Sequence, residues 1–145
     1  MGLSSYSEDT LVEQPAIQLF AELGWKTVDC MEEDFGAGGT LEREYRGQVV
    51  LPCLLRPALE KLNPRLPDTA LQAAIDALTR DRALLSLANA NKEIYVLLKD
   101  GVLVHYQNEN GEEVQERVRV IDWNQPENNH FLLASQLWVT GDMYT

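Results

Sequence analysis

Basic residues are scarce in this sequence: 12 lysines and arginines stand against 23 acids, giving a net charge of −11 and a pI near 4.5. A surface of that sign repels phosphate rather than collecting it, which argues against a stand-alone nucleic-acid-binding module. Cysteine and histidine are scarcer still. Cys30 and Cys53 have no Cys-x-x-Cys spacing, and His105 and His130 are too few and too scattered to complete a zinc centre. Both cysteines stand in apolar surroundings, which predicts buried thiols and a reducing, cytoplasmic setting. No apolar run is long enough to span a bilayer, and Met1–Tyr6 has neither the basic residues nor the apolar stretch of a secretory leader. Internal repeats, low-complexity linkers and signs of a second domain are absent. The chain has 145 residues, 45% of them hydrophobic, which is enough for one domain with a real core.

The charge that is present is unevenly spread. Residues 1–48 hold 10 acids and 3 bases, residues 49–100 hold 6 and 7, and residues 101–145 hold 7 and 2. The acidity therefore sits at the two ends of the sequence. A solvated surface that favours solubility is one reading; imitation of nucleic-acid charge is another.

Hydrophobic spacing sets the expected elements. In SEDTLVEQPAIQLFAELGW, Leu11, Val12, Pro15, Ala16, Leu19, Phe20 and Leu23 fall on one helical face. Ser7 or Thr10 would cap its start and Gly24 would end it. Pro15 means that the helix either bends there or begins near Gln14 with proline in the first turn. Trp25–Cys30 reads as a short strand, followed by the acidic loop Glu32-Glu33-Asp34 and the glycine-rich Gly36–Thr40. Helical spacing returns over Glu42–Leu62, disturbed by Pro52 and Pro57, and again after Pro67-Asp68. Asn89 or Asn91 caps a further helix, which Asp100-Gly101 closes. In the last third, Val102–Tyr106 and Val114–Ile121 face each other across Asn108–Gly111, whose Asn-Gly pair is a strong hairpin signal. Asn128-Asn129 then leads into a closing strand within FLLASQLWVT, with Gly141-Asp142 as a turn beyond it. The fold expected is mixed α+β, with helices first and antiparallel strands after them.

Candidate chemistry is thin. Gly36-Ala37-Gly38-Gly39-Thr40 lacks the lysine that a Walker loop places directly before its Ser or Thr, and three acids precede it, so a flexible turn is the plainer reading. His105 and His130 read as surface side chains. Tyr106, Trp123, Phe131 and Trp138 lack the interleaved lysine or arginine of a base-stacking platform, and packing is expected of them. Glu13 lies on the border of the first helix's apolar face, where a charge ordinarily faces solvent. Gln136 is polar within an apolar run and needs a partner; no role is assigned to it.

Four stretches occur in a telling order: LVEQPAIQLFAELGW, GAGGTLEREYRGQVVLPCLLRPALEKLNPRLP, NKEIYVLLKDGVLV and VRVIDWNQPENNHFLLASQLWVTGDMYT. Together they cover essentially the whole chain, and they resemble the N-terminal region of the restriction (R) subunit of type I restriction endonucleases. The resemblance implies the front half of a restriction-endonuclease-like PD-(D/E)xK fold, with residues 1–145 forming a single, incomplete nuclease-type domain. In the family an ATP-driven DNA translocase follows in the same polypeptide. The family's nuclease core is an Asp after a Pro and then, further on, an acidic residue, a spacer and a Lys. Two carboxylates there hold Mg²⁺ against the scissile phosphate. This sequence has no such pair, since Pro67-Asp68 stands at a helix start without a downstream Glu-x-Lys. The expectation is that the Pro-Asp and Glu-x-Lys motifs lie beyond Thr145, and that this piece alone does not cleave DNA.

In nucleases of this kind a Glu on the first helix often completes the metal site, and by that resemblance Glu13 is the candidate catalytic, metal-side carboxylate. The cofactors implied for the intact subunit are Mg²⁺ and ATP, with none expected on this piece. The partners implied are DNA and the modification (methyltransferase) and specificity subunits of the restriction complex, with no membrane. The alternative is a stand-alone acidic interaction protein or DNA mimic that binds restriction–modification subunits.

Overall fold

Pro15 sets how the first helix begins. Proline brings no N–H and its ring crowds the preceding turn. In the computed structural model, which describes residues 7–141, the chain winds as a wide π-type turn over Asp9–Glu13 before the regular helix α1, Gln14–Glu22, starts with Pro15 in its first turn. The Gln14 N–H reaches back to the Asp9 carbonyl, which is the wider register. Glu8 is already helical, at φ −55° and ψ −40°, and its side chain makes no cap bond, while the Leu11 N–H bonds to Ser7 O at 3.0 Å. The C-terminus closes as a Schellman motif. Gly24 takes φ +92°, its N–H bonds to Ala21 O at 3.0 Å, and the Trp25 N–H bonds to Phe20 O at 3.0 Å. The apolar contact that accompanies such a motif is Trp25 against Phe20, with ring centroids 4.8 Å apart, and Phe131 stacks on the other side of Trp25 at 4.7 Å.

Trp25 leads directly into β1, Lys26–Asp29, which pairs in parallel with β4, Leu132–Ser135, in the register Lys26↔Leu132 to Asp29↔Ser135. The closing strand of the sequence therefore finds its partner near the other end of the chain, not among the antiparallel strands. β4 is also shorter than the apolar run suggests: Gln136 turns out of it at φ +54°. The turn expected at Gly141-Asp142 extends outside the described residues. These elements, with the chain up to Leu51, form one of two units; Pro52–Asn129 forms the other.

Helical spacing over Glu42–Leu62 misleads at its front half. Glu42 takes φ +56°, the chain stays irregular to Leu51, and α2 occupies Pro52–Leu62 with Pro52 at its start, where a missing N–H costs nothing. The second unit then runs through α3, Asp68–Thr79, α4, Leu87–Asp100, and the antiparallel hairpin β2, Val102–Gln107, and β3, Glu113–Val118. Its register runs from Val102↔Val118 to Gln107↔Glu113. The Asn108 side chain accepts the N–H groups of Asn110 and Glu112 in the connecting turn, where Gly111 supplies φ +77°. Ser86, not Asn89 or Asn91, caps α4, its Oγ accepting the Asn89 N–H at 3.2 Å.

The core of this unit is α3 laid on the hairpin. Ala70, Leu71, Ala74, Ile75 and Leu78 meet Leu59 of α2 and Val102, Val104 and Val118 of the strands. Asn63, buried at the end of α2, donates to Arg119 O at 2.8 Å and accepts the Arg119 N–H at 2.8 Å, fixing the chain as it leaves β3. Mixed α+β architecture is thus as expected, with two small two-stranded sheets among the described residues, one parallel and one antiparallel.

Truncating Ile75 to Ala should cost about 2–5 kcal/mol in urea unfolding, because the cavity cannot fully collapse. Leu84→Ala, at a side chain wholly in solvent, should stay within about 0.5 kcal/mol of wild type. Equal effects at the two positions would contradict this placement of the core.

Candidate functional site

Loop 30–51 of the first unit has no regular secondary structure, and it is organised by one side chain. The Arg43 side chain points inward and is 1% exposed; the Glu33 side chain, facing it, is 5% exposed. Arg43 Nε donates to Glu33 Oε2 at 2.8 Å, and Nη2 donates to the second carboxylate oxygen. Nη1 donates to the carbonyls of Arg46 at 3.1 Å and Gln48 at 3.3 Å, and Nη2 also reaches Trp138 O at 2.9 Å. The guanidinium lies 5.7 Å from the Phe35 ring centre. A bidentate pair with three further carbonyls satisfies the fork of an arginine that water no longer reaches. The bond from Arg43 holds the Glu33 carboxyl below its ordinary range, and the same bond pushes Arg43 up. Cys30, buried beside this pair, is pushed up by burial first and by the Glu33 charge second, which makes it an unreactive thiol. Cys53 is exposed, contrary to the expectation of burial.

Arg43 ties the segment that leaves β4 to the loop, and the Thr140 N–H adds a bond to Arg46 O at 3.2 Å. Gln136 lies between this anchored segment and the strand. Its Nε2 donates to Glu13 Oε2 at 2.7 Å, across 123 positions of sequence. The two residues singled out separately in the sequence, a border carboxylate and a polar side chain lacking a partner, are thus each other's partner. Glu13 is half-buried at the junction of the π-type turn and α1.

The glycine-rich stretch is folded on itself. The Gly36 N–H bonds to Arg43 O, the Gly39 N–H to Gly36 O, the Thr40 N–H to Asp34 O and the Gly38 N–H to the Glu42 carboxylate. A Cβ on Gly39 would lie 2.3 Å from Asp34 O. Those N–H groups are spent, so the loop is a packed turn rather than a phosphate cradle or a flexible linker. Asp68 opens α3 at the surface and pairs with Arg56 at 3.4 Å. His105 and His130 are exposed, as expected.

Among the described residues no three His, Cys, Asp or Glu side chains come together as a metal site. Mg²⁺ demands an octahedral set of oxygens, and Glu13 with the Gln136 amide does not supply one. No helix among the described residues is long and apolar enough to cross a membrane.

In the second unit a loop built on Asp122 was missed, although the Asp, Asn and Pro density of DWNQPENN is a turn signal. Asp122 is buried and accepts from Asn128 Nδ2 at 3.1 Å, the N–H groups of Gln125 at 3.0 Å and Asn124 at 3.1 Å, and Arg119 Nη1 at 3.3 Å. The bond from Asn128 and then that from Gln125 hold its carboxyl below the ordinary range. Trp123, expected to pack, is instead mostly exposed, and so is Trp138.

With this geometry in view, the relatives give it a frame. The chain matches the family described as the N terminus of the type I restriction enzyme R protein over residues 5–145, and it belongs to that family. It is 35% identical over 131 residues to the type I restriction enzyme HindI endonuclease subunit of Haemophilus influenzae. That match covers 87% of this chain and 12% of the relative, so the chain spans a small part of the relative's length. No solved structure matches it.

The lowered carboxyls fix the sign of the pH dependence. Glu33 and Asp122 protonate at lower pH in the folded chain than in the unfolded one. Their stabilisation is therefore complete above the ordinary carboxylate range of about 4 and is lost as pH falls through the folded values. Glu33→Gln should lower stability at neutral pH and flatten the acid limb of a plot of urea midpoint against pH. An acid limb as steep as that of wild type would contradict the pairing.

Proposed function

We propose that this chain is the N-terminal, nuclease-type part of the DNA-cleaving, ATP-dependent translocating subunit of a type I restriction–modification system. In this reading residues 1–145 are the front of one PD-(D/E)xK domain. The polypeptide beyond supplies the Pro-Asp and Glu-x-Lys motifs, the ATP-driven motor and the remaining ligands for Mg²⁺. The modification and specificity subunits are the partners, and the cytoplasm is the setting.

The observation that carries the proposal is the match along residues 5–145 to the R protein N terminus. The Glu13–Gln136 contact adds a geometric argument. It holds a carboxylate of the first helix at the point where β4 ends, beside the strand that in the family precedes the catalytic motif. A carboxylate held at a strand end is placed to contribute one oxygen ligand to a metal shared with later residues. One carboxylate without the others does not organise Mg²⁺, so the 145-residue chain by itself should not cleave DNA.

The test uses the intact subunit assembled with its modification and specificity subunits. Glu13→Ala should reduce Mg²⁺-dependent cleavage by at least about 10–100-fold, the range seen when groups around a metal are removed, and leave ATP-driven translocation unchanged. Cleavage at the wild-type rate would remove Glu13 from the site. Metal-dependent nicking by the pure 145-residue chain, abolished by Glu13→Ala, would overturn the incomplete-site reading.

A further inference from the structure

The second unit holds a groove that the nuclease reading leaves unused. Lys99 from the last turn of α4, Arg117 from β3 and Arg119 and Trp123 from the segment after it line a cavity of about 190 Å³, together with the acids Asp100 and Asp122. Two separate stretches of sequence therefore bring three cations and one indole together, in a chain whose overall charge is strongly negative.

The indole is fixed in place and yet presented. Trp123 is 62% exposed, and its Nε1–H donates to Lys99 O at 3.2 Å. The polar edge of the ring is thus held while much of its apolar surface faces water. Arg117 is held in a similar way, with Nη1 donating to Asp100 O at 3.3 Å and Gly101 O at 3.4 Å. Gly101 makes that approach possible. It takes φ +85°, and a Cβ there would lie 2.7 Å from Val118 O and 3.1 Å from Arg117 Cγ. Arg119 donates through Nη1 to Asp122.

Each of these contacts engages one terminal nitrogen of a guanidinium that has five N–H donors, and both arginines remain exposed. The Asp122 charge is already met by its bonds to Asn128, Gln125, Asn124 and Arg119. Asp100 lines the groove as well, so three cations stand there against two carboxylates, a positive balance of one. Charges more than about 8–10 Å away are screened at physiological salt, and this local balance sets the field that an anion meets.

We infer that this groove binds an unstacked nucleotide of a DNA single strand, with the base on the Trp123 ring and the backbone phosphate on Arg117, Arg119 and Lys99. A flat, edge-anchored indole beside clustered cations is the combination that single-strand binding uses, because every base has a face to stack and every nucleotide a phosphate. A duplex keeps its base faces covered and offers the indole nothing comparable. The choice of DNA over RNA rests on the nuclease reading above; the groove itself does not depend on Glu13.

The experiment is fluorescence anisotropy of a labelled twelve-nucleotide oligo-dT with the 145-residue chain, alongside a duplex of the same length. The single strand should bind more tightly than the duplex. Trp123→Ala should weaken its binding roughly tenfold or more, and Arg117→Gln, at an exposed position, should reduce the slope of log affinity against log salt by about 0.7. Circular dichroism and urea midpoints check that both variants fold. Absence of saturable binding, a preference for duplex, or binding indifferent to both substitutions would overturn the inference. The two readings fail separately. Cleavage by the intact subunit that depends on Glu13 without any strand binding by this chain removes the groove alone. Trp123-dependent strand binding with cleavage indifferent to Glu13 supports the groove and removes the proposed metal-side role.

Discussion

The buried pair of Arg43 and Glu33 is the constraint on which the first unit depends. Taking two charges out of water is costly unless geometry and further hydrogen bonds compensate. Here they do, because both carboxylate oxygens and three carbonyls surround one guanidinium. The consequence is positional. A loop with no regular secondary structure acquires a fixed shape, and the segment after β4 is drawn onto it through Trp138 O and the Thr140 N–H. Gln136 turns between two anchored stretches, and Glu13 finds its amide there.

The two units use different means to hold their parts. The first has little apolar interior: α1 has no fully buried residue, and Leu19 within it is exposed, as are Leu11 and Val12 before it and Leu23 after it. Its order comes from the Schellman turn, the Trp25 ring contacts and the arginine. The second is a conventional apolar core, α3 against a hairpin, with polar loops at its margins closed by Asn63 and Asp122. The residues that the proposals rest on follow this division. Glu13 and Gln136 are set by the polar framework of the first unit, and Trp123 and the arginines stand on the margin of the second unit's core. Neither group needs the glycine-rich loop, whose donors are spent within the fold.

Much of this was legible in the sequence where the signal is local. Gly24 as a helix stop, Asn108–Gly111 as a hairpin turn and Pro67-Asp68 as a helix start each depend on a few adjacent residues. Glu13 and Gln136 could each be singled out, but not joined, because nothing in periodicity links positions so far apart. The stretch from Glu42 to Leu51 misled because Tyr45, Val49 and Val50 fall at helical spacing, while Arg43 carries a long-range demand that outweighs local preference. The parallel pairing of β1 with β4 was hidden for a related reason: parallel partners need a long connection and leave no turn signature. The groove was hidden because only the fold brings Lys99 of α4 beside Arg117, Arg119 and Trp123, which lie within seven residues of one another.

The most direct test of this account is amide hydrogen exchange in the 145-residue chain carrying Arg43→Met. If the arginine holds the exit of β4, the amides of Lys26, Cys30 and Thr140, which bond to Phe131 O, Ser135 O and Arg46 O, should lose protection. Those of the β2–β3 hairpin should keep theirs. Unchanged protection at Lys26, Cys30 and Thr140 would show that the strand pair and its exit stand without Arg43, and would contradict the account.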